Sequence, residues 1–112
     1  MPLVFRVSNT GAAAVTLPLQ GREPTADFRV FDTRDRQIWS RLRGQIVLGS
    51  LRLYPLGARD TLTFRHVWDQ RGDTGGQVPP GDYLVRGVLI TDAPGGMVSG
   101  AFRLRIEPPP RG

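Results

Sequence analysis

The sequence predicts an all-β fold, an antiparallel sandwich of seven or eight short strands. Three observations predict it. Apolar and polar residues alternate with a period of two over most of the chain, as they do when a strand buries one face and wets the other. There are 14 glycines and 10 prolines among 112 residues. The usual combined share is about 12%, so this chain is rich in turns. No apolar stripe of helical spacing runs far enough to bury one side of a helix.

The elements follow in order. Leu3, Phe5 and Val7 alternate with Val4, Arg6 and Ser8, and Asn9-Thr10-Gly11 reads as a turn. Val15, Leu17 and Leu19 form a second run. Pro18 cannot donate to a ladder, so that run is expected to be an edge strand or to end there. Phe28 and Val30 alternate with Asp27, Arg29 and Phe31. Asp32-Thr33-Arg34-Asp35 has turn chemistry, because an Asp side chain accepts from the backbone two residues on. Gln37 to Ser40 returns from that turn. Leu51, Leu53 and Leu56 lead through Gly57 into a strand from Thr61 to Trp68, and five glycines and prolines mark a long loop from Asp69 to Pro80. Tyr83 to Thr91 is apolar on both phases and reads as a central strand. After a hairpin loop from Asp92 to Gly96, Ser99 to Glu107 returns with Phe102, Leu104 and Ile106 inward and Arg103 and Arg105 outward. Phe5, Phe28, Phe64, Phe102, Trp39, Trp68 and Tyr83 are therefore assigned to the core, with Trp39 between the sheets. This pattern is that of an immunoglobulin-like sandwich spanning residues 1–107, followed by a proline-rich tail, 108–112. A small barrel is the alternative.

Composition excludes several functions. Without cysteine there is no disulfide scaffold, thiolate metal site or cysteine nucleophile. A single histidine, His66, excludes a multi-histidine metal site, and no metal or other cofactor is expected. None of Ser8, Ser40, Ser50 and Ser99 sits in a G-x-S-x-G elbow, and His66 shares the phase of Leu62, Phe64 and Trp68. A hydrolase would need that histidine in an exposed cleft; the phase packs it against the sheet. Asp32 with Asp35, and Asp69 with Asp73, lack the spacing of a calcium loop and read as turn formers. No apolar run approaches the roughly 18 residues of a membrane helix. Absence of cysteine fits a cytoplasmic location, or a secreted or envelope one if a leader was removed before Met1.

The net charge is +5 and every basic residue is arginine. Arg36, Arg41, Arg43, Arg52 and Arg59 fall between Asp35 and Asp60 with no acid among them. This stretch is a candidate basic patch for an acidic protein partner. Only Trp39 and Tyr54 are near enough in sequence to stack bases, which argues against nucleic acid. The apolar residues Leu42, Ile46, Val47 and Leu48, and likewise Met97 and Val98, sit in loop-like stretches and are candidate partner-binding positions.

An ordered set of short motifs adds to this reading. Phe5-x-Val7-x-Asn9 is followed by Asp27-Phe28-x-Val30-x-Asp32 and Ile38-Trp39-Ser40. Leu62-x-Phe64, Val67-Trp68-Asp69 and Val78-Pro79-Pro80-Gly81-x-Tyr83-x-Val85-x-Gly87-x-Leu89 complete it. In these residues the chain resembles the bacterial intracellular proteinase inhibitor family of BsuPI type, over residues 3 to 91. The resemblance implies an immunoglobulin-like sandwich and inhibition of subtilisin-like serine proteases, whose pockets take large apolar side chains. An inhibitor would present Leu42, Ile46, Val47 and Leu48, or Met97 and Val98, on a rigid loop. The turn Ala58-Arg59-Asp60 keeps only the acid of the family's Pro-Gly-acid turn. The other reading is a non-inhibitory structural or adaptor domain that binds a protein through its sheet or its arginines. In either case the expected function is binding and not catalysis.

Overall fold

The computed structural model describes residues 1–21, 24–43, 51–91 and 96–108. The chain forms an all-β sandwich. In order, the strands are β1 (Pro2–Ser8), β2 (Val15–Gln20), β3 (Ala26–Phe31), β4 (Gln37–Ser40), β5 (Leu51–Leu56), β6 (Thr61–Val67), β7 (Gly81–Leu89), β8 (Met97–Val98) and β9 (Phe102–Ile106). All pairings between them are antiparallel. The stretch from Leu51 is a strand in its own right, where the sequence suggested only a lead-in. β8 and β9 both pair with β7 and act as one interrupted edge strand.

One layer is a two-stranded ribbon. β1 pairs with β6 from Pro2↔Val67 to Ser8↔Thr61, and β2 with β5 from Val15↔Leu56 to Gln20↔Leu51. The two ladders follow one another along the same two stretches of chain. Between them, residues 9–14 face 57–60, and Asn9 organises the break. Its buried amide donates to the carbonyls of Ala13, Leu56 and Gly57, while its Oδ1 accepts from the Gly11 N–H. Its backbone bonds Asp60 and Arg59 in both directions.

The other layer has the order β4-β3-β7, with β9 and β8 along the far side of β7. β3 and β7 pair over six residues, Ala26↔Leu89 to Phe31↔Leu84. β3 and β7 have hydrogen-bonded neighbours on both edges, and Ala26, Asp27, Phe28, Val88 and Leu89 are buried where they pair. Tyr83 donates its hydroxyl to the Pro79 carbonyl at 2.6 Å, a corner found in immunoglobulin-like sandwiches. Burial raises the pKa of that hydroxyl, with a lesser push from Asp32.

The core lies where the ribbon crosses this sheet. Phe5 stacks on Phe64 at 5.8 Å, and its ring rests on the Cα of Gly87. A Cβ at position 87 would lie 2.5 Å from Phe5 Cδ1, so only glycine permits this approach. His66 stacks between Phe28 and Trp39, with centroids at 6.3 and 5.6 Å. Trp39 meets Trp68 at 5.3 Å, and the Trp68 indole N–H donates to the Arg71 carbonyl. Trp39 thus fills the space between the sheets as expected. Among the described residues no helix is long and apolar enough to cross a membrane.

Candidate functional site at the open margin of the sandwich

These contacts fix which strand lies over which. Phe5 on Gly87 sets β1 over β7, and His66 on Phe28 and Trp39 sets β6 over β3 and β4. Strands in a sheet are about 4.8 Å apart, so a two-stranded ribbon covers about 10 Å of a four-strand sheet about 19 Å wide. The uncovered strand is β9. Packed sheets also cross at about 30°, so cover varies along the edge. Ile106 is buried at one end of β9, Leu104 is half-buried, and Phe102 is 76% exposed at the other.

The core assignment of Phe102 is therefore wrong. Its phase is the inward one, shared with Leu104 and Ile106, but among the described residues no strand lies over it. The result is a groove of about 610 Å³ between β1 and the β8–β9 edge. Phe28, Val85 and Gly87 line it, as do Leu3 and Phe5, with Phe102 at the rim. Arg6 and Arg103 are the charged side chains of the lining, and no acid joins them. Among the described residues, β1 pairs only with β6 and β9 only with β7, so both strands flanking the groove keep an open edge. Ser99 ties β8 to the sheet: its N–H donates to the Gly87 carbonyl and its hydroxyl accepts from the Gly87 N–H.

The candidate positions from the sequence divide. Met97 and Val98 are 43% and 48% exposed on β8, and neither lines this groove. Leu42 is half-buried at the foot of the stretch after β4. Ile46, Val47 and Leu48 lie outside the described residues, as do the hairpin residues 92–95 and the tail beyond Pro108.

The five arginines do not form one patch. Arg36 pairs with Asp32 at 3.1 Å in the β3–β4 turn. Arg41 lies past the other end of β4, about 16 Å away at strand spacing. Arg52 is on β5, and Arg59 is in the β5–β6 turn at the break in the ribbon. Arg41 and Arg43 do come together, with Trp39, His66, Val67 and Asp69, around a second recess of about 400 Å³ on the β4–β6 side. Arg41 is anchored there, donating to the Ala26 carbonyl. The faces of Trp39 are taken by His66 and Trp68, so this recess offers no stacking platform.

The remaining polar groups hold the fold. His66 has its pKa lowered by burial and then by the Arg41 charge, against an opposing pull from Asp69. The Ser40 hydroxyl donates to Asp27, and that of Ser8 bonds Thr61. Asp27, on the phase opposite Phe28 and Val30, is 2% exposed. It accepts from Ser40 Oγ at 2.7 Å, Arg29 Nε at 2.8 Å and the Leu42 N–H at 3.1 Å. The Ser40 hydroxyl and the Leu42 N–H, from β4 and the residues after it, close over this position, so alternation alone could not place this carboxylate. The signal available was Ser40 one hairpin away. Asp73 accepts from the Ser40 N–H, Asp69 from the Arg71 N–H, and Asp32 from those of Arg34 and Arg36. The paired acids are turn and loop formers. Among the described residues no group of three His, Asp or Glu could hold a metal ion.

No protein-family model matches this chain, and no curated protein is similar to it. Among solved structures, it is similar to the Pseudomonas fluorescens alkylpurine DNA glycosylase AlkC, bound to DNA containing an abasic site analog. The TM-score is 0.47 and the identity 17%, over 93% of this chain and 24% of that one. The chain thus spans about a quarter of the glycosylase.

Proposed function

We propose that this domain is a non-catalytic protein-binding module that seats part of another protein at the open margin between β1 and β8–β9. One observation carries the reading: Phe102 lies on the inward phase of β9 yet is 76% exposed. An aromatic ring on a core phase with nothing above it is an anchor awaiting a cover. Val4 adds exposed apolar surface to the lining of the same groove. The functional polar groups of a hydrolase are committed elsewhere, with His66 stacked between aromatic rings and Ser40 bonded to Asp27.

Inhibition of a subtilisin-like protease, which the BsuPI resemblance implies, is a narrower form of the same reading. Met97 and Val98 are the described residues best placed to enter an apolar pocket. Two experiments test the two levels. A photo-crosslinking residue at position 102 should trap a discrete protein in cells, and one at Thr63 on the outer face should not. Equal trapping at both positions, or none at 102, defeats the module reading. A panel of subtilisin-like proteases incubated with micromolar domain tests the narrower form, which fails if every protease stays active with the domain intact.

A further inference from the structure

We propose that the occupant of this margin is an extended protein segment that adds as a strand to the free edge of β9, apolar on its inward side and acidic on its outward side. The proposal rests on the reading that the margin binds protein, and it specifies how and what.

The backbone argues for a strand. β9 is a regular five-residue strand bonded on one side to β7, from Gly81↔Ile106 to Val85↔Phe102. Its other side presents unpaired N–H and C=O groups among the described residues, a template for another strand. A strand docked there continues the sheet outward, and alternate side chains fall on the Phe102 side and the Arg103 side. Those on the Phe102 side drop into the groove and cover the ring. Those on the other side lie beside Arg103 and Arg105, both exposed.

Charge chooses the segment. The outward side of β9 carries Arg103 and Arg105, both exposed, with no acid between them. Arg105 is matched only by a solvent-exposed contact with Glu107 at 3.3 Å. Directly opposed cross-strand charges attract when unlike and repel when alike, so acidic residues on the outward side suit this edge. The same rule argues against a second copy of this chain. Antiparallel self-pairing of β9 with its apolar sides matched sets Arg103 and Arg105 opposite arginines. Shifting the register by one residue turns the apolar side of one copy to water.

The test supplies the segment at high local concentration. A hexapeptide alternating Val and Glu is joined after Gly112 of the full chain through a flexible Gly-Ser linker, which gives an effective concentration in the millimolar range. A second version alternates Val and Lys. Two readouts are taken by NMR: hydrogen exchange of the Phe102–Ile106 amides, and the ring signals of Phe102. The Glu version is expected to protect β9 amides about tenfold more than the Lys version, the effect of two opposed charge pairs changing sign. The charge-swapped double variant Arg103→Glu/Arg105→Glu should reverse that preference. Unprotected β9 amides, or equal protection by both versions, overturns the proposal. If the ring signals shift while the amides still exchange freely, strand addition is wrong and the apolar margin reading stands. If neither moves, both fall.

Discussion

Replacing Phe102 with Ala separates an uncovered ring from a core ring. A buried Phe side chain removes roughly 200 Å² from water. At 76% exposure, Phe102 retains about a quarter of that cover. About 50 Å² at about 25 cal/mol per Å² gives a cost near 1 kcal/mol. Phe28 sits in the same sandwich at 3% exposure, and its replacement by Ala belongs to the range of about 3–5 kcal/mol. Urea denaturation of the two variants beside the unmodified domain reads both numbers, with unchanged slopes confirming a common unfolded state. A loss of 3 kcal/mol or more in Phe102→Ala would show the ring is covered in solution. The open margin, and all that is proposed from it, would then be wrong.

Other perturbations test the frame around the groove. Gly87→Ala forces its methyl into the Phe5 ring and should cost about 1–3 kcal/mol by overpacking. Pairing it with Phe5→Leu should recover part of that loss in the same denaturation assay, and full additivity would contradict the contact. Asp27→Ala leaves Ser40, Arg29 and the Leu42 N–H without their shared acceptor, and should cost about 3 kcal/mol. A stability change under 1 kcal/mol would refute its anchoring role. His66 has its pKa lowered below the ordinary 6.5, chiefly by burial. The folded state therefore binds protons less readily than the unfolded chain, and the stabilisation is complete above pH 6.5 and lost as pH falls below it. Thermal midpoints taken from pH 7.5 down to 5 should fall, and His66→Phe should flatten the decline. Arg41→Ser should cost about 1 kcal/mol through its bond to the Ala26 carbonyl, while Arg43→Ser changes thermal stability by less than 0.5 kcal/mol.

Alternation located most of the strands because it reports which face of a strand is apolar. It does not report whether anything lies over that face. Phe102 shows the difference: its phase is right and its burial wrong, because cover depends on how many strands the opposite layer contains. Asp27 lies on the phase opposite Phe28 and Val30 and is buried all the same, because its partners Ser40 and Leu42 reach it from the next hairpin. The arginines were legible as a run but not as a surface. The β4 strand carries the chain away between Arg36 and Arg41, and only Arg41 and Arg43 share a recess. Turn chemistry was the most transferable signal. Asp32 accepts from the backbone two residues on, as an Asp at that position does.

The open margin has a physical origin in the packing itself. Gly87 lets the Phe5 ring come down onto β7, and this close approach seats β1 over the middle of the sheet. On the other side, His66 reaches Trp39, so the ribbon is drawn towards β4 and away from β9. Two strands spent on that side leave none for the other. An uncovered edge is ordinarily a hazard, because identical edges pair and aggregate. Arg103 and Arg105 blunt that hazard, since any self-pairing with matched faces opposes like charges. Under the proposed function the same two charges that turn away a second copy favour an acidic segment. Solubility and selectivity then come from one device, and a variant with both arginines replaced by neutral residues should lose the two together.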